Sequence, residues 1–511
     1  MAKKYSKNLE NFVKNWKRNS DLAFVSKLQK KFPNAEVFLV GGMVRDIALG
    51  RDSKDYDLVV RNVLGKKLME YLASVGDVNL VGKKFGVYKF YPKGKKIERQ
   101  KNKKKIEAID IALPRTEKSL GSGKYRDFTI VSDYKLPIEK DLQRRDFTIN
   151  AMALRLSSGV NAQKLGIVDP FLGLQDIEKK VIRTVGKPKD RFAEDYSRML
   201  RAVRFACQLD FEIDAYTWKA VKSLMPKIVS KSNGVQIVPN EIIAKELVKA
   251  FEKNPLWALE LFDKCGAIKI LIPELLKMKK SPQPEEFHTE GDVWEHTKLV
   301  IDNLYSKKFQ KEFSIRNPQS AISNELLWAA LFHDVGKPYT LTMTDRVRNN
   351  GHDTKGAEIF SKVSRRLKLT NAGMDSSVAE KIIARHMIPT QAKQMKETTL
   401  EKIFFNAEFP GDELLMLIFA DISATIPLSG KPDYSSYRII KKRVELLRKK
   451  TKNKKTLPKE LLDGNEIMKI LGTTPGSLIG DVKQYLRELQ LKGSVRSKNQ
   501  ATVLIRKKYK K

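Results

Sequence analysis

Residues 37–60 read VFLVGGMVRDIALGRDSKDYDLVV, and this stretch decides which fold the chain can adopt. Its apolar, β-branched opening predicts a strand, and Gly41 and Gly42 then allow the backbone to turn sharply and to approach a ligand closely. The residues that follow have helical spacing. Because a strand, a Gly-Gly turn and a helix start present free N–H groups to an anion, the segment predicts a phosphate-binding turn, with Arg45 as a further phosphate contact.

A pair of carboxylates opens the second strand of the same stretch. Asp55 and Asp57 flank Tyr56, and the two-residue period of a strand places both carboxylates on one face. Taken singly, a Gly-Gly pair is usually a turn, and an Asp-x-Asp pair is usually a solvated loop. Together, oxygen ligands and a phosphate-binding turn are typical of a magnesium site, so we expect Asp55 and Asp57 to be catalytic and to bind Mg²⁺.

This succession of motifs resembles the head domain of the polymerase-β-like nucleotidyltransferases, in particular of the bacterial class II CCA-adding tRNA nucleotidyltransferases and their poly(A) polymerase relatives. The resemblance implies an α+β fold, in which a small mixed or antiparallel sheet with helices is followed by an all-α neck, an HD helical body and a helical tail. We expect five parts: an N-terminal helical extension (residues 1–35), a nucleotidyltransferase head (36–155), a neck with a nucleotide-selecting helix (156–285), an HD domain (286–430) and a basic tail for tRNA (431–511).

Two further segments extend the resemblance to the head. The segment IEAIDIAL carries Asp110, which the resemblance makes the third catalytic carboxylate, with Glu107 and Glu139 as alternatives. The segment DLQRRDFTINAMAL resembles the motif that closes the head, and Arg145 in this motif would contact the nucleotide. The head is therefore expected to combine a three-carboxylate magnesium site with a nucleotide-binding arginine.

A charged helix is the candidate for base selection. In EDYSRMLRAVRFA, Asp195 and Arg198 are three residues apart, so a helix would make them neighbours that offer one acceptor and several donors. Cytosine and adenine both present an exocyclic amine beside a ring-nitrogen acceptor, which this pair can match, although the same spacing is also that of an ordinary surface ion pair. The segment resembles the nucleotide-selecting helix of the family, which implies base contacts for Asp195 and Arg198 and triphosphate contacts for Arg201 and Arg204.

Histidines are confined to one part of the chain, since all five lie between residues 288 and 386. An apolar helix ends at a His-Asp pair, and imidazoles and carboxylates that converge in a helical bundle suit a divalent transition metal. The text resembles an HD phosphohydrolase domain. Its core metal set would be His296, His333, Asp334 and Asp421, with His352 and His386 as additional ligands or phosphate contacts.

Composition indicates the kind of partner. The 511 residues include 98 Lys and Arg against 60 Asp and Glu, a formal charge of +38, and this excess predicts a polyanion as the partner. The basic segments after Asp421 resemble the family tail that binds tRNA. Only Cys207 and Cys265 are present, which excludes a disulfide framework. Because the polar N-terminus is unlike a signal peptide and no apolar run is long enough to cross a membrane, we expect a cytoplasmic protein without a membrane partner.

The sequence thus predicts an enzyme that adds CCA to the 3′ end of tRNA from CTP and ATP with release of pyrophosphate. Mg²⁺ is expected in the head, and a divalent transition metal in the HD domain, where a phosphohydrolase side activity is possible. The alternatives are a poly(A) polymerase, an enzyme that adds only A or only CC, and a protein that is chiefly an HD phosphohydrolase. The pair His333-Asp334 argues against a poly(A) polymerase, and the loop around Gly121 and Gly123 argues against CC-only addition. The intact carboxylates of the head argue against a protein that is chiefly an HD phosphohydrolase.

Overall fold

The protein is described here by a computed structural model that covers residues 2–52, 55–81, 86–93, 108–119, 123–124, 128–157, 166–449 and 458–509. Glu107 and Gly121 lie outside these residues. The chain divides into two compact units, Met1–Ile270 and Leu271–Lys511. The finer domain boundaries given above stay predictions.

Strands are concentrated in the first unit. In chain order they are β1 Glu36–Val40, β2 Asp57–Arg61, β3 Gly76–Val81, β4 Val87–Pro92, β5 Ile109–Ala112, β6 Arg115–Ser119, β7 Phe128–Ser132, β8 Ala153–Leu156, β9 Ile167–Val168, β10 Val181–Ile182, β11 Glu212–Ile213, β12 Lys231–Ser232, β13 Val235–Gln236, β14 Thr342–Met343 and β15 Val347–Arg348.

A seven-stranded sheet in the order β3-β4-β5-β2-β1-β8-β9 forms the centre of the first unit. The pair β2–β5 is parallel, whereas β1 pairs antiparallel with β2 and β8, β4 pairs antiparallel with β3 and β5, and β9 pairs antiparallel with β8. The sheet is therefore mixed, and the predicted α+β class is confirmed. Its central strands carry buried apolar side chains such as Phe38, Val40 and Val59, which form a core with Ile138 and Leu142.

The remaining part of the first unit is mainly helical, with short two-stranded pairs β10–β11 and β12–β13 between the helices. Its helices are α1 Ala2–Asn15, α2 Ala23–Lys31, α3 Gly42–Ala48, α4 Gly65–Val75, α5 Ile138–Gln143, α6 Gly173–Lys179, α7 Pro188–Glu194, α8 Ser197–Leu209, α9 Ala215–Leu224, α10 Asn240–Lys253, α11 Pro255–Lys264 and α12 Ala267–Leu271.

Nearly all the regular secondary structure of the second unit is helical. Its helices are α13 Pro273–Leu276, α14 Val293–Asn303, α15 Lys307–Glu312, α16 Pro318–Ala321, α17 Asn324–Phe332, α18 Lys337–Thr340, α19 His352–Leu367, α20 Ser376–Ile383, α21 Glu397–Phe404, α22 Gly411–Ala424, α23 Ser435–Lys449, α24 Gly464–Leu471, α25 Ser477–Lys492 and α26 Lys498–Tyr509.

Packing within the second unit brings the histidine-bearing segments together. Helix α14 packs against α22, and α17 packs against α20 and α22, so the ends of these helices meet in one place. Helices α24, α25 and α26 enclose a separate small core around Ile467, Val482 and Ile505. None of the helices within the described residues is long and apolar enough to cross a membrane.

Candidate functional site

Three charged side chains lie side by side on neighbouring strands of the head sheet. Asp57 on β2 is the register partner of Asp110 on β5, and Asp110 is the register partner of Lys89 on β4. Lys89 Nζ lies 2.9 Å from Asp110 Oδ1. Asp55 lies near enough to Asp57 to influence its titration. The structure therefore brings the three predicted carboxylates together, and it adds Lys89, which the sequence analysis missed.

Electrostatics within this carboxylate row favour a cation. Burial raises the pKa of Asp57 to about 6, with Asp55 and Asp110 acting in the same direction and Arg145 and Lys89 opposing them. Carboxyl groups that share one site resist full ionisation unless a positive charge joins them. Hard oxygen donors are the ligands that Mg²⁺ prefers, so the donor set fits this ion.

The turn after β1 depends on a glycine. Gly41 has a φ of +72°, and a Cβ at this position would lie 2.7 Å from Arg145 Nη1 and 3.7 Å from Asp57 Oδ2. Only a residue without a side chain lets the guanidinium of Arg145 cross the turn beside the carboxylate row. Gly42 begins α3, with Arg45 one turn further along that helix. The predicted turn and the predicted nucleotide arginine thus lie together.

Arg145 is held from the side away from the turn. Asp141 is fully buried in α5, and its Oδ2 lies 3.4 Å from Arg145 Nη2. Arg144 also pairs with Asp141, at 2.9 Å, and with Glu117 of β6 at 2.7 Å. Burial works against ionisation of Asp141, but the two arginines hold its pKa below the usual value. Glu139, the alternative third carboxylate, is exposed in the first turn of α5.

A chain of polar contacts leads from the turn to α8. Arg45 Nη1 donates to Asn150 Oδ1 at 2.6 Å, and Asn150 Nδ2 donates to Asp146 Oδ1 at 3.2 Å. Arg201 Nη2 donates to Asp146 Oδ2 at 2.6 Å. Although Asp146 is buried, Arg201 and Asn150 hold its pKa well below the usual value. Arg45 and Arg201 are both predicted to contact phosphates, and Asn150 and Asp146 hold their guanidinium groups in place.

The segment that carries Asp195 is a junction between two helices. Asp195 follows the last residue of α7 with an extended backbone (φ −157°), and α8 begins at Ser197. Its Oδ1 accepts a hydrogen bond from Ser197 N at 2.9 Å. Tyr196 N donates to the carbonyl of Gly123 at 3.2 Å, so the Gly-containing loop meets this junction. The expected single helix is thus interrupted at the position proposed to read the base.

Arg198 lies close to Asp195 but pairs elsewhere. Its backbone N–H donates to Asp195 O at 3.1 Å, and both residues are only 7% exposed. Arg198 Nη1 donates to Glu194 Oε2 at 2.5 Å and to Arg191 O at 3.0 Å. Glu194 is therefore a partner that the sequence analysis did not name, although it directly precedes Asp195.

Arg204 makes its closest contacts with side chains of α8 and α10. Its Nε pairs with Glu246 of α10, Nη1 donates to Gln208 Oε1 at 2.6 Å, and its guanidinium lies 4.0 Å from the centre of the Phe205 ring. These partners belong to α8 and α10 rather than to the head sheet. Its triphosphate contact stays a prediction, and the observed contacts give Arg204 a role in packing α8 against α10.

In the second unit, the four predicted metal ligands converge. His296 Nε2 lies 2.9 Å from Asp421 Oδ1, and His333 Nε2 lies 3.2 Å from Asp334 Oδ2. His333 Nε2 also lies 3.8 Å from Asp421 Oδ1. Both histidines are completely buried. The ends of α14, α17 and α22 therefore supply one cluster of nitrogen and oxygen donors.

A second cluster shares Asp334. Its Oδ1 lies 3.3 Å from His352 Nε2 and 3.7 Å from His386 Nε2. The two Nε2 atoms are 3.2 Å apart. Since Oδ2 of Asp334 faces His333 and Oδ1 faces His352 and His386, this carboxylate lies between two sets of histidines.

The orientation of the imidazoles fits a metal. Each of the four Nδ1 atoms lies against an acceptor. His296 Nδ1 is 2.8 Å from Glu290 Oε1, and His333 Nδ1 is 2.8 Å from Ala330 O. His352 Nδ1 is 2.6 Å from Asn349 O, and His386 Nδ1 is 2.8 Å from Ile383 O. A proton on Nδ1 leaves the Nε2 lone pair facing the centre, as is usual for metal-binding histidines. His333 Nε2 is buried without a hydrogen bond, although Asp334 is near. A metal ion would supply the partner that the buried His333 Nε2 lacks.

Two contacts of this centre were missed from the sequence. Glu290 accepts from His288 at 2.7 Å and from His296, and these hydrogen bonds outweigh burial and hold its pKa well below the usual value. Lys337 Nζ lies 2.6 Å from Asp334 Oδ2. The spacing His288-x-Glu290 was the sequence signal for the contact of Glu290. The i,i+3 spacing of Asp334 and Lys337 was the signal for the contact of Lys337.

Two family models match the chain. The model of the poly A polymerase head domain matches residues 37–183, and that of the HD domain matches residues 294–407. The first range contains the carboxylate row, the glycine turn and Arg145. The second contains Asp334 and every histidine of the chain except His288.

Curated relatives carry a common name. The multifunctional CCA protein of Neisseria gonorrhoeae (strain NCCP11945) is 34% identical over 367 residues, which are 71% of this chain and 77% of the relative. That of Neisseria meningitidis serogroup C (strain 053442) is 34% identical over 369 residues, 71% of this chain and 76% of the relative.

Solved structures share the fold at low sequence identity. A CCA-adding enzyme in apo form II has a TM-score of 0.58 at 21% identity and covers 94% of this chain and 93% of its own. The Bacillus stearothermophilus CCA-adding enzyme in complex with CTP has a TM-score of 0.57 at 20% identity, with coverages of 95% and 96%. The Thermotoga maritima CCA-adding enzyme complexed with tRNA(CCA) has a TM-score of 0.56 at 20% identity, with coverages of 95% and 94%.

Proposed function

The chain belongs to the family of multifunctional CCA proteins, and from this premise we propose that it completes the 3′ CCA end of tRNA from CTP and ATP with release of pyrophosphate. The observation that carries the proposal is the row of carboxylates beside the glycine turn and Arg145. In the reaction, the terminal hydroxyl of the RNA loses its proton and its oxygen bonds to the α-phosphorus, while the bond from that phosphorus to the bridging oxygen breaks and pyrophosphate leaves.

We assign metal binding in the head to Asp55, Asp57 and Asp110. Magnesium bound there would neutralise phosphate charge and lower the pKa of the attacking hydroxyl. Until the ion binds, Lys89 neutralises part of the acidic row through its ion pair with Asp110. The protein thus contributes a rigid set of oxygen donors on adjacent strands, which favours an aligned attack.

Phosphate binding is assigned to the turn and to Arg145. The backbone at Gly41 and Gly42 lies at the start of α3, where N–H groups face an anion, and Arg145 crosses the turn beside Asp57. Asp141 orients Arg145, and Asn150 orients Arg45. Because these supports are buried, the guanidinium groups keep their direction without a nucleotide.

Base choice is assigned to Asp195 and Arg198. The carboxylate lies at the junction between α7 and α8 and the guanidinium in the first turn of α8, and they can match the amine and the ring nitrogen of cytosine or adenine. Arg201 supports this helix through Asp146, and with Arg204 it is assigned to the triphosphate side. Glu194, which holds Arg198, would fix the direction of its donors.

We propose a divalent transition metal in the HD domain. Asp334, His333, His296 and Asp421 would hold one ion, and Asp334 with His352 and His386 would form a second position. Imidazole and carboxylate donors together favour such metals over magnesium. A metal there would activate water for hydrolysis of phosphate esters, so a phosphohydrolase activity on nucleotide or tRNA ends is the second proposed function.

A product ladder tests the nucleotidyltransferase function. Labelled tRNA that lacks CCA is incubated with CTP, ATP or both, and the products are resolved at single-nucleotide resolution. We expect two additions with CTP alone and three with both nucleotides. Asp110→Asn should abolish addition, whereas Glu139→Gln, which removes an exposed carboxylate of α5, should leave it unchanged. Long tails from ATP alone would instead identify a poly(A) polymerase.

A further inference from the structure

The side chain of Asn19, in the N-terminal segment of residues 2–35, contacts the residue that directly precedes β2. Asn19 lies between α1 and α2, and its Nδ2 donates to the hydroxyl of Tyr56 at 2.6 Å. Tyr56 is the residue between Asp55 and Asp57. The alternation of an extended strand places its side chain on the face opposite to the two carboxylates. A segment outside the head thus reaches the carboxylate row from behind.

The direction of the Asn19 amide is fixed by its surroundings. Its Oδ1 accepts from Asp21 N at 2.9 Å, so the oxygen is engaged and the NH₂ group must face Tyr56. The backbone is fixed as well, because Asn19 N donates to Trp16 O at 3.0 Å and Leu22 N donates to Asn19 O at 3.1 Å. Asn19 therefore offers a donor at one defined point.

Tyr56 is linked to all three carboxylates. It is the chain neighbour of Asp55 and Asp57, and its carbonyl accepts a hydrogen bond from the backbone N–H of Asp110 at 2.9 Å. Its side chain is only 7% exposed. A shift of the Tyr56 backbone would therefore move the three carboxylates relative to one another.

The segment itself is anchored to the head at several points. Trp16 is 1% exposed, and Asn8 Nδ2 donates to Ala48 O at 2.8 Å. Gln29 Nε2 donates to Leu156 O at 2.6 Å, and the hydroxyl of Tyr71 donates to Phe24 O at 2.7 Å. These contacts hold Asn19 in place relative to the sheet, so its hydrogen bond can hold the Tyr56 side chain in place as well.

We infer that Asn19 is a positioning residue for the nucleotidyl transfer, and that the N-terminal segment holds Tyr56, and through it Asp55, Asp57 and Asp110, in the geometry that binds metal. This inference rests on the proposed function, since it assumes that these carboxylates hold the ion. It gives the extension a role in the chemistry rather than in tRNA binding.

The test is a double-mutant cycle in the full-length protein. Asn19→Ala and Tyr56→Phe each remove one side of the hydrogen bond, and the double variant removes both. Mn²⁺ binding is measured by the paramagnetic resonance of the free ion, with the HD ligand variant His333→Ala as the common background, and kcat and KM for CTP are measured with tRNA that lacks CCA. Gln29→Ala is the matched control, because it removes an amide-to-head hydrogen bond near Val37, at the other end of β1 from Gly41.

Each single variant should weaken Mn²⁺ binding and lower kcat by about 10-fold with KM for CTP nearly unchanged, as is typical when a partner behind a ligand is lost. The double variant should lose no more than either single variant, because both break one interaction. Gln29→Ala should change neither quantity. Multiplicative losses in the double variant, or an Asn19→Ala profile equal to that of Gln29→Ala, would overturn the inference. Wild-type Mn²⁺ binding that survives Asp57→Asn would contradict the proposed metal site instead.

Discussion

Asp57 is the residue whose properties depend most on its neighbours. Its carboxyl group is buried beside Asp55 and Asp110, and burial raises its pKa to about 6. Lys89 and Arg145 oppose this shift, so removing either cation would raise the pKa further. At neutral pH the group is ionised and available to a metal, at the expense of stability in the metal-free protein.

The sign of this effect gives a stability prediction. In the unfolded chain an aspartate titrates near 3.8, whereas folding raises the pKa of Asp57 to about 6, so ionisation opposes folding increasingly from pH 4 to pH 6 and fully above it. Asp57→Asn should therefore stabilise the metal-free protein by about 3 kcal/mol at pH 8 and have little effect at pH 4. Thermal unfolding in the presence of a chelator measures the difference.

Glu139→Gln is the control for that experiment, since it neutralises an exposed carboxylate on α5 and should not change the unfolding temperature at either pH. Equal stabilisation by Asp57→Asn at both pH values would show that packing, rather than charge, is responsible. Addition of Mg²⁺ at pH 8 should stabilise the wild type but not Asp57→Asn.

Turns and junctions between elements of the head carry several groups that are assigned to the nucleotide. In the turn between β1 and α3, Gly41 has a φ of +72° and its Cβ position lies 2.7 Å from Arg145 Nη1. The junction between α7 and α8 is a second irregular point, and it carries Asp195. Regular elements supply the frame, and the irregular points carry the groups assigned to the nucleotide.

Alanine substitutions at two glycines distinguish the effect of backbone strain from the effect of displacing Arg145. Gly41→Ala should lower kcat/KM for CTP by at least about 10-fold, because the new methyl group would displace Arg145 from its place beside Asp57, in addition to a strain of about 1–2 kcal/mol. Gly234→Ala is the control, since Gly234 has a φ of +77° but open space around its Cβ position. It should lose similar stability and keep full activity. Equal kinetic losses in both variants would contradict the explanation.

Local patterns predicted the strand, the turn and the carboxylates, because a strand period and a Gly-Gly pair are readable within a few residues. Lys89 and Asn19 could not be predicted in this way, since their partners Asp110 and Tyr56 are brought near only by sheet pairing and tertiary packing. The helix break at Asp195 was missed because its carboxylate accepts from Ser197 N and so competes with helix continuation.

At the scale of the whole molecule, two chemistries occupy separate units. The carboxylate row belongs to Met1–Ile270, and the histidine centre belongs to Leu271–Lys511. The resemblance and the predicted enzyme class are confirmed. Since neither centre takes a ligand from the other unit in the sets described above, each should function without the other.

Independence of the centres is directly testable. His333→Ala should remove metal-dependent hydrolysis of a nucleoside 2′,3′-cyclic phosphate and leave CCA addition within about 2-fold, whereas Asp57→Asn should do the reverse, since buried ligands act locally. Both activities are measured on the same preparations. Asp412→Asn is the control for the HD centre, because it neutralises an exposed carboxylate in the first turn of α22, the helix that carries Asp421. Loss of both activities in either variant would mean that the centres are coupled.

The ion pair Asp146–Arg201 also determines where this chain can be recombined with its relatives. A chimera joined after Leu156 would take Asp146 from one parent and Arg201 from the other, and it would divide the edge-to-face contact of Phe147 with Phe205, whose ring centres are 5.7 Å apart. A junction at Ile270 would keep these contacts within one parent. Exchange of base preference between homologues should therefore require transfer of the catalytic sheet and α8 as a single inherited block.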